Sequence, residues 1–155
     1  MMAPRITHRN ESKIIGIEVR ASNLLENEAS STRISDLWKK FHNDKKRIPN
    51  KRDERTALGV YTSYQDNNNE YSLIVASEVT TLERVPEGMV SQIIPAGKYL
   101  IFAGKGHMPN AALSVWEQIA RYFSNGAHYK RAYTVDFELH DMTKADEVEV
   151  HISII

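Results

Sequence analysis

Twice along this chain a β-branched strand leads into a helix that carries one tryptophan, and that helix leads into two further strands. The first pass begins at KIIGIEVRA (Lys13 to Ala21) and continues through a polar stretch with Asn23, Asn27, Ser30 and Ser31. From about Thr32 the period changes, and Ile34, Leu37, Trp38 and Phe41 recur at the i, i+3, i+4, i+7 spacing of an amphipathic helix. LGVYTSYQ (Leu58 to Gln65) and YSLIVASEV (Tyr71 to Val79) then read as a hairpin across the turn-rich DNNNE. In the second pass MVSQII (Met89 to Ile94) and KYLIFAG (Lys98 to Gly104) are strand-like, separated by Pro95, Ala96 and Gly97. Pro109 suits the first turn of a helix that carries Trp116, Ile119 and Phe123 inward and stops near Asn125 and Gly126. YTVDFELH and EVEVHISI close the chain as a second hairpin. Trp38 and Trp116 stand 78 positions apart in 155 residues, so the pattern is an internal duplication with halves of about 1–80 and 81–155.

Two such halves each lay antiparallel sheet under a helix, which predicts an α+β architecture in one domain over residues 1–155. The helices cover one face of the sheet. KYLIFAG asks what covers the other, because Tyr99, Ile101 and Ala103 point one way, Leu100 and Phe102 point the other, and both sets are apolar. A strand with one face in water alternates with polar residues, so the second face is expected to be covered by protein, by a partner subunit or by a ligand. Monomer and homodimer both remain open on this ground.

Acidic and basic residues balance at 20 each, which removes the broad positive field of proteins that hold nucleic acid through phosphate contacts, and direct DNA binding is not expected. The absence of cysteine excludes disulfides, thiolate metal sites and cysteine nucleophiles. No apolar run resembles a signal peptide or approaches transmembrane length, so the chain is expected in the cytoplasm with no membrane contact.

Six histidines occur, at 8, 42, 107, 128, 140 and 151, without HExxH or another metal spacing and without a serine partner motif. His140 and His151 could be neighbours across the last hairpin, with Glu147 and Glu149 nearby, as a metal group or as a solvated face. Neither metal nor cofactor is expected. KKFHNDKKRIPNKRDER (Lys39 to Arg55) is the one dense basic segment, either a solvated helix end and linker or a surface for nucleic acid or an acidic partner. GKGHMPN (Gly104 to Asn110) places a glycine pair ahead of a helix but lacks the GKS or GKT ending of a phosphate loop.

The remaining signal lies in VDFELHD (Val135 to Asp141). Val135, Phe137 and Leu139 point to one face of that strand, while Asp136, Glu138 and His140 point to the other. The second face either meets water or places Glu138 in a pocket. Tyr61, Tyr64, Tyr71, Tyr99, Trp38, Trp116 and Phe102 all fall on expected elements, where each serves the core or a site. Aromatic faces beside a carboxylate form a receptor for a large organic cation, with cation–π contacts of about 0.5–2 kcal/mol each. A carboxylate buried alone raises its pKa, and a bound cation restores its ionised form.

IIPAGKYLIF (Ile93 to Phe102), SVWEQIARYF (Ser114 to Phe123), VDFELHD and EVEVHISI resemble, in this order and spacing, the gyrase-inhibitor-like (GyrI-like) effector-binding domain. KIIGIEV, ISDLWKKF, the short IPN and GVYTSY extend the resemblance through the first half. The family includes ligand-sensing parts of multidrug-responsive transcription activators, and its stand-alone form looks most like cationic-drug-binding proteins carried on integron gene cassettes. The resemblance implies duplicated β-α-β-β units with pseudo-twofold symmetry, an antiparallel sheet with two main helices, and a ligand cleft between the halves. It implies Glu138 as the family glutamate and Tyr99, Trp116 and Tyr61 as pocket aromatics, with Phe102, Trp38 and His140 completing the expected ligand-binding set. Many members carry a tyrosine where this chain has His140; an imidazolium there competes with a cationic ligand and introduces pH dependence. Fused members use a helix-turn-helix or winged-helix segment, and none is expected within these residues. It is expected to bind an amphipathic organic cation without catalysis, sensing or sequestering it, or passing the signal to a transcription or gyrase partner. The resemblance also admits a hydrolase of a small electrophile with Glu138 as general base, or a gyrase-inhibiting or co-regulatory protein.

Overall fold

The computed structural model describes residues 3–22 and 28–155. Along the chain run β1 (Arg5–Arg9), β2 (Ser12–Ser22), α1 (Glu28–Asp44), β3 (Thr56–Gln65), β4 (Glu70–Val79), β5 (Val90–Ile94), β6 (Gly97–Lys105), α2 (Asn110–Ser124), β7 (Val135–Asp141) and β8 (Glu147–Ser153). All eight strands form one antiparallel sheet in the order β1-β6-β8-β7-β3-β4-β2-β5. The α+β class and the duplication are therefore present. Within the sheet β6-β8-β7 mirrors β2-β4-β3 about the β7–β3 junction, which places the pseudo-twofold relation there.

The expected hairpins form where turn chemistry predicts them. Between β3 and β4, Asp66, Asn67 and Asn68 take φ of 52°, 54° and 69°, a left-handed backbone that Asp and Asn tolerate better than most residues. Helix α2 ends before Gly126, at φ 67°. It buries Ala111, Ala112, Val115 and Ile119, and Gly104 of β6 allows the close approach. A Cβ at Gly104 would lie 2.5 Å from Val115 Cγ2.

Two features differ from expectation. Helix α1 starts at Glu28, so Ser30 and Ser31 lie on helical backbone rather than in a connecting stretch; Asn23 and Asn27 lie outside the described residues. The serines, favoured at helix starts, disguised a helix that begins earlier. Strand β1 (RITHR) was not anticipated, since one apolar residue among five gives no alternation. It pairs with β6, while β5 pairs with β2, so each half's leading strand extends the other half's sheet.

Helix α1 lies on β2 and β4, and α2 lies on β6 and β8. Beneath α1 are Ile15, Ile17, Leu73 and Val75 with Leu37 and Phe41; beneath α2 are Leu100, Phe102, Val150 and Ile152 with Val115 and Ile119. The opposite face carries a third cluster that unites Tyr99 of β6 with Ile14 of β2 and Ile94 of β5. Strands β6 and β2 stand five places apart in the sheet, so the sheet curls with its helix-free face inward. The doubly apolar strand β6 is thus covered on both sides within one chain and calls for no second subunit. Among the described residues, each helix packs mainly on the outer strands of its own half, and the central β7–β3 ladder lies between them. Among the described residues no helix is long and apolar enough to cross a membrane.

Candidate ligand-binding site

Glu138 stands at the middle of the β3–β7 ladder, directly across from Gly59 and on the helix-bearing face. Its residue is 5% exposed. Carboxylate Oε2 accepts bonds from Tyr61 Oη at 2.7 Å and Trp116 Nε1 at 2.8 Å, and Oε1 lies 2.8 Å from His140 Nε2. An ionised carboxylate only accepts, so His140 donates through Nε2. Hydrogen bonds to a charged group contribute on the order of 1.5–3 kcal/mol each, which offsets the removal of the carboxylate from water.

The two halves contribute to this arrangement as equivalents. Trp116 packs edge-on against Tyr61 with ring centroids 4.9 Å apart, and Trp38 packs edge-on against His140, also at 4.9 Å. Around the central Gly59–Glu138 pair, Tyr61 and His140 occupy matching positions, each two residues further along its strand. Where Trp116 meets the carboxylate, Trp38 meets the space over Gly59: a Cβ there would lie 3.3 Å from Trp38 Cζ2.

Above Glu138 a cleft of about 430 Å³ opens between the helices. Ile34, Trp38 and His42 of α1 form one wall, and Met108, Pro109, Ala112 and Leu113 around the start of α2 form the other. Tyr61, Glu138 and His140 line it from the sheet, with Met142 and Ala145 from the β7–β8 connection. Ser35, Lys39, Asp141, Lys144 and Glu147 complete its lining.

Burial pushes the Glu138 carboxyl up, but the bonds from His140, Trp116 and Tyr61, with the charge of His140, outweigh it and hold the group below its ordinary value. The expectation of a lone carboxylate that turns neutral is corrected: three donors keep this one ionised. Burial and the Glu138 charge push the Tyr61 phenol well above its usual value, and the same two causes push Tyr71 up to about 12. Tyr61 therefore remains a donor throughout the physiological range.

Of the residues expected from sequence, Glu138, Tyr61, Trp38 and His140 line the cleft, and Trp116 holds the carboxylate from beside it. Tyr99 does not join them. It is 2% exposed in the opposite-face cluster, its hydroxyl bonded to Pro95 O at 2.7 Å and its ring 5.8 Å from Phe137. Phe102 is on the helix-bearing face but lies beneath α2 against Tyr122 and Phe123. Both are core residues.

Other motifs resolve in the same way. His140 and His151 lie on opposite faces of the sheet, His151 stacking on Phe137 at 4.5 Å, and no group of three or more ligand-type residues is placed to hold a metal among the described residues. In GKGHMPN the Gly106 N–H is donated to Asp146 O and Pro109 has none to give. Within the basic segment Arg47 bonds Glu87 O, and Arg55 pairs with Asp53. Asp136 is fully buried and accepts from Tyr64, Arg131 and both the backbone and hydroxyl of Ser153, tying β7 to β8. Sequence reasoning missed the cleft walls Ile34, His42, Met108, Leu113 and Met142; of these only Ile34 sat in a periodic pattern.

Comparison with known proteins agrees with this architecture. The chain is 31% identical over 140 residues to the transcriptional regulator BrlR of Pseudomonas aeruginosa, covering 90% of this chain and 48% of BrlR. It spans about half the length of that curated relative. An integron cassette protein from the mobile metagenome of Vibrio cholerae superimposes with a TM-score of 0.80 at 28% identity, over 98% of this chain and 95% of that one. The structure of SAV2435 bound to tetraphenylphosphonium shares the fold, with a TM-score of 0.76 at 16% identity over 99% and 94% of the two chains. Residues 5–154 match the family described as integron-associated effector binding protein (Cass2), and the chain belongs to that family.

Proposed function

We propose that this chain binds an amphipathic organic cation, without chemical turnover, in the cleft between α1 and α2. The observation that carries the reading is a nearly fully buried carboxylate, held ionised by three donors, at the floor of a cleft where Ile34, Trp38, Tyr61, Met108, Leu113 and Met142 supply apolar surface beside charged side chains of both signs. Glu138 supplies the counter-charge, Tyr61 and Trp38 present ring surface, and Trp116 fixes the carboxylate. Met108 and Met142 are flexible and polarisable, which suits a wall that adapts to guests of different outline. The ligand of SAV2435, a bulky aromatic phosphonium, has the chemistry this cleft calls for. In the cell such binding would serve effector sensing or sequestration, with any signal passed to a transcription partner.

Hydrolysis by Glu138 as general base draws no support from this geometry. A general base works best with a pKa near the operating pH, whereas three donors hold this carboxyl low. The test is fluorescence titration with rhodamine 6G. Wild-type protein is expected to saturate, and Glu138→Gln to bind about tenfold or more weakly, a loss of ~1.4 kcal/mol or greater. Equal affinity in the two proteins, or no saturable binding by wild type, would remove the mechanism.

A further inference from the structure

Three side chains donate to Glu138, and they differ in one respect. Tyr61 and Trp116 keep their protons across the physiological range, whereas histidine side chains as a class change charge between pH 5 and 8. Tyr61 and His140 are matching members of the duplicated site, so the second half carries an imidazole where the first carries a phenol. His140 is held in place by the 2.8 Å contact to Oε1 and by the edge of Trp38, and its side chain is 16% exposed.

The charge of the cleft floor follows. With His140 neutral, the carboxylate leaves a net charge of minus one; with His140 protonated, the pair is internally neutralised. A cation entering the second state meets the like charge of His140 beside the carboxylate it needs, and both groups are largely buried, where such repulsion is poorly screened. An uncharged guest of the same shape meets no such penalty.

Resting on the cation-binding reading above, we infer that His140 sets the ligand-charge specificity of the cleft: it admits lipophilic cations when neutral and favours uncharged lipophiles when protonated. Binding a cation therefore expels a proton. The other charged groups around His140 do not replace it in this role. His42 faces it from α1, but that side chain is exposed and makes no hydrogen bond to Glu138; burial, Lys45 and His140 itself hold its pKa down. Lys39 is exposed on α1, and on the β7–β8 connection Asp141 is bonded by Thr143 while Lys144 and Lys105 both approach Glu147. The cleft wall from α2 consists of Met108, Pro109, Ala112 and Leu113 and carries no charge.

The experiment is calorimetric titration of the full chain with methyltriphenylphosphonium and with triphenylphosphine oxide, a charged and an uncharged probe of similar shape and without titrating protons. Measurements run from pH 5.5 to 8.5, each in two buffers of different ionisation enthalpy so that released protons are counted. Wild type should lose phosphonium affinity by up to about tenfold per pH unit on the acid side and release up to one proton. Phosphine oxide affinity should stay level or rise there. His140→Tyr, which copies Tyr61 and keeps a donor, and His140→Gln should both abolish the pH dependence, while His42→Asn should retain it. Phosphonium binding by wild type that is independent of pH and releases no proton overturns the inference even if no variant folds, and leaves the cation-binding reading standing. Retention of the pH dependence in a folded His140 variant overturns it equally. Absence of phosphonium binding at every pH removes both.

Discussion

Glu138 and Gly59 occupy equivalent positions in the two halves and face each other across the central ladder of the sheet, one carrying the carboxylate and the other no side chain. The asymmetry matters because two carboxylates there would repel, and any side chain would crowd Trp38. In Gly59→Ala the added Cβ would lie 3.3 Å from Trp38 Cζ2 and 3.8 Å from Glu138 Oε1, so the indole has to shift by a few tenths of an ångström. The expected outcome is a folded protein destabilised by about 1–2 kcal/mol with a Trp38 emission change and clearly weaker binding of rhodamine 6G. Unchanged emission and affinity would show that Trp38 is not set by this contact.

Acid stability tests the hydrogen bonds to Glu138. Its pKa in the folded chain lies below the 4.5 of an ordinary glutamate, so the unfolded chain takes up the proton first. The stabilisation is complete above the unfolded value and is lost as pH falls from there through the lower folded value. Urea unfolding at pH 6, 4 and 3 should show wild type losing more stability than Glu138→Gln in the lower interval. Parallel losses in both proteins would mean that the carboxylate is not held ionised.

His151 acts over a different window. Burial, helped by the charge on Arg9, lowers its pKa from 6.5 to about 4 against the pull of Glu149. The unfolded chain therefore binds a proton that the folded chain refuses, and stability falls as pH drops from about 6.5 to about 4. His151→Phe, which retains a ring against Phe137, should flatten stability across that window in the same urea series. A curve as steep as wild type's would contradict the assignment.

Asp136 is predicted to serve stability rather than ligand binding. Asp136→Asn leaves Arg131 without its carboxylate at 2.6 Å, with the Arg131 side chain only 15% exposed. Loss of one partner of a buried pair should cost about 3 kcal/mol, measured by chemical denaturation. A cost below about 1 kcal/mol would indicate that the arginine finds water instead.

The duplication, the hairpins and the direction of the VDFELHD side chains were legible because each rests on local period or turn chemistry. Trp38 and Trp116 marked the two helices correctly for the same reason. Tyr99 shows where such reasoning stops: alternation tells that Tyr99 and Phe102 face opposite ways, but with both faces apolar it does not tell which face carries the site. The curl of the sheet decides that, and it depends on contacts between distant strands. Strand β1 and the exchange of leading strands escaped for a related reason, since RITHR becomes a strand through its partner β6 and not through its own composition. Met108 and Met142 come from connections, where spacing carries no signal. Glu138 owes its ionised state to His140 on its own strand and to Trp116 and Tyr61, which arrive from other elements.

A crystal grown with tetraphenylarsonium lets the anomalous signal of arsenic place the cation without reference to any assumed pose. The signal should lie between α1 and α2, within about 6 Å of the Tyr61 or Trp38 ring and on the side of the sheet that carries Glu138. A saturable site elsewhere, with the cleft left empty, would contradict the account.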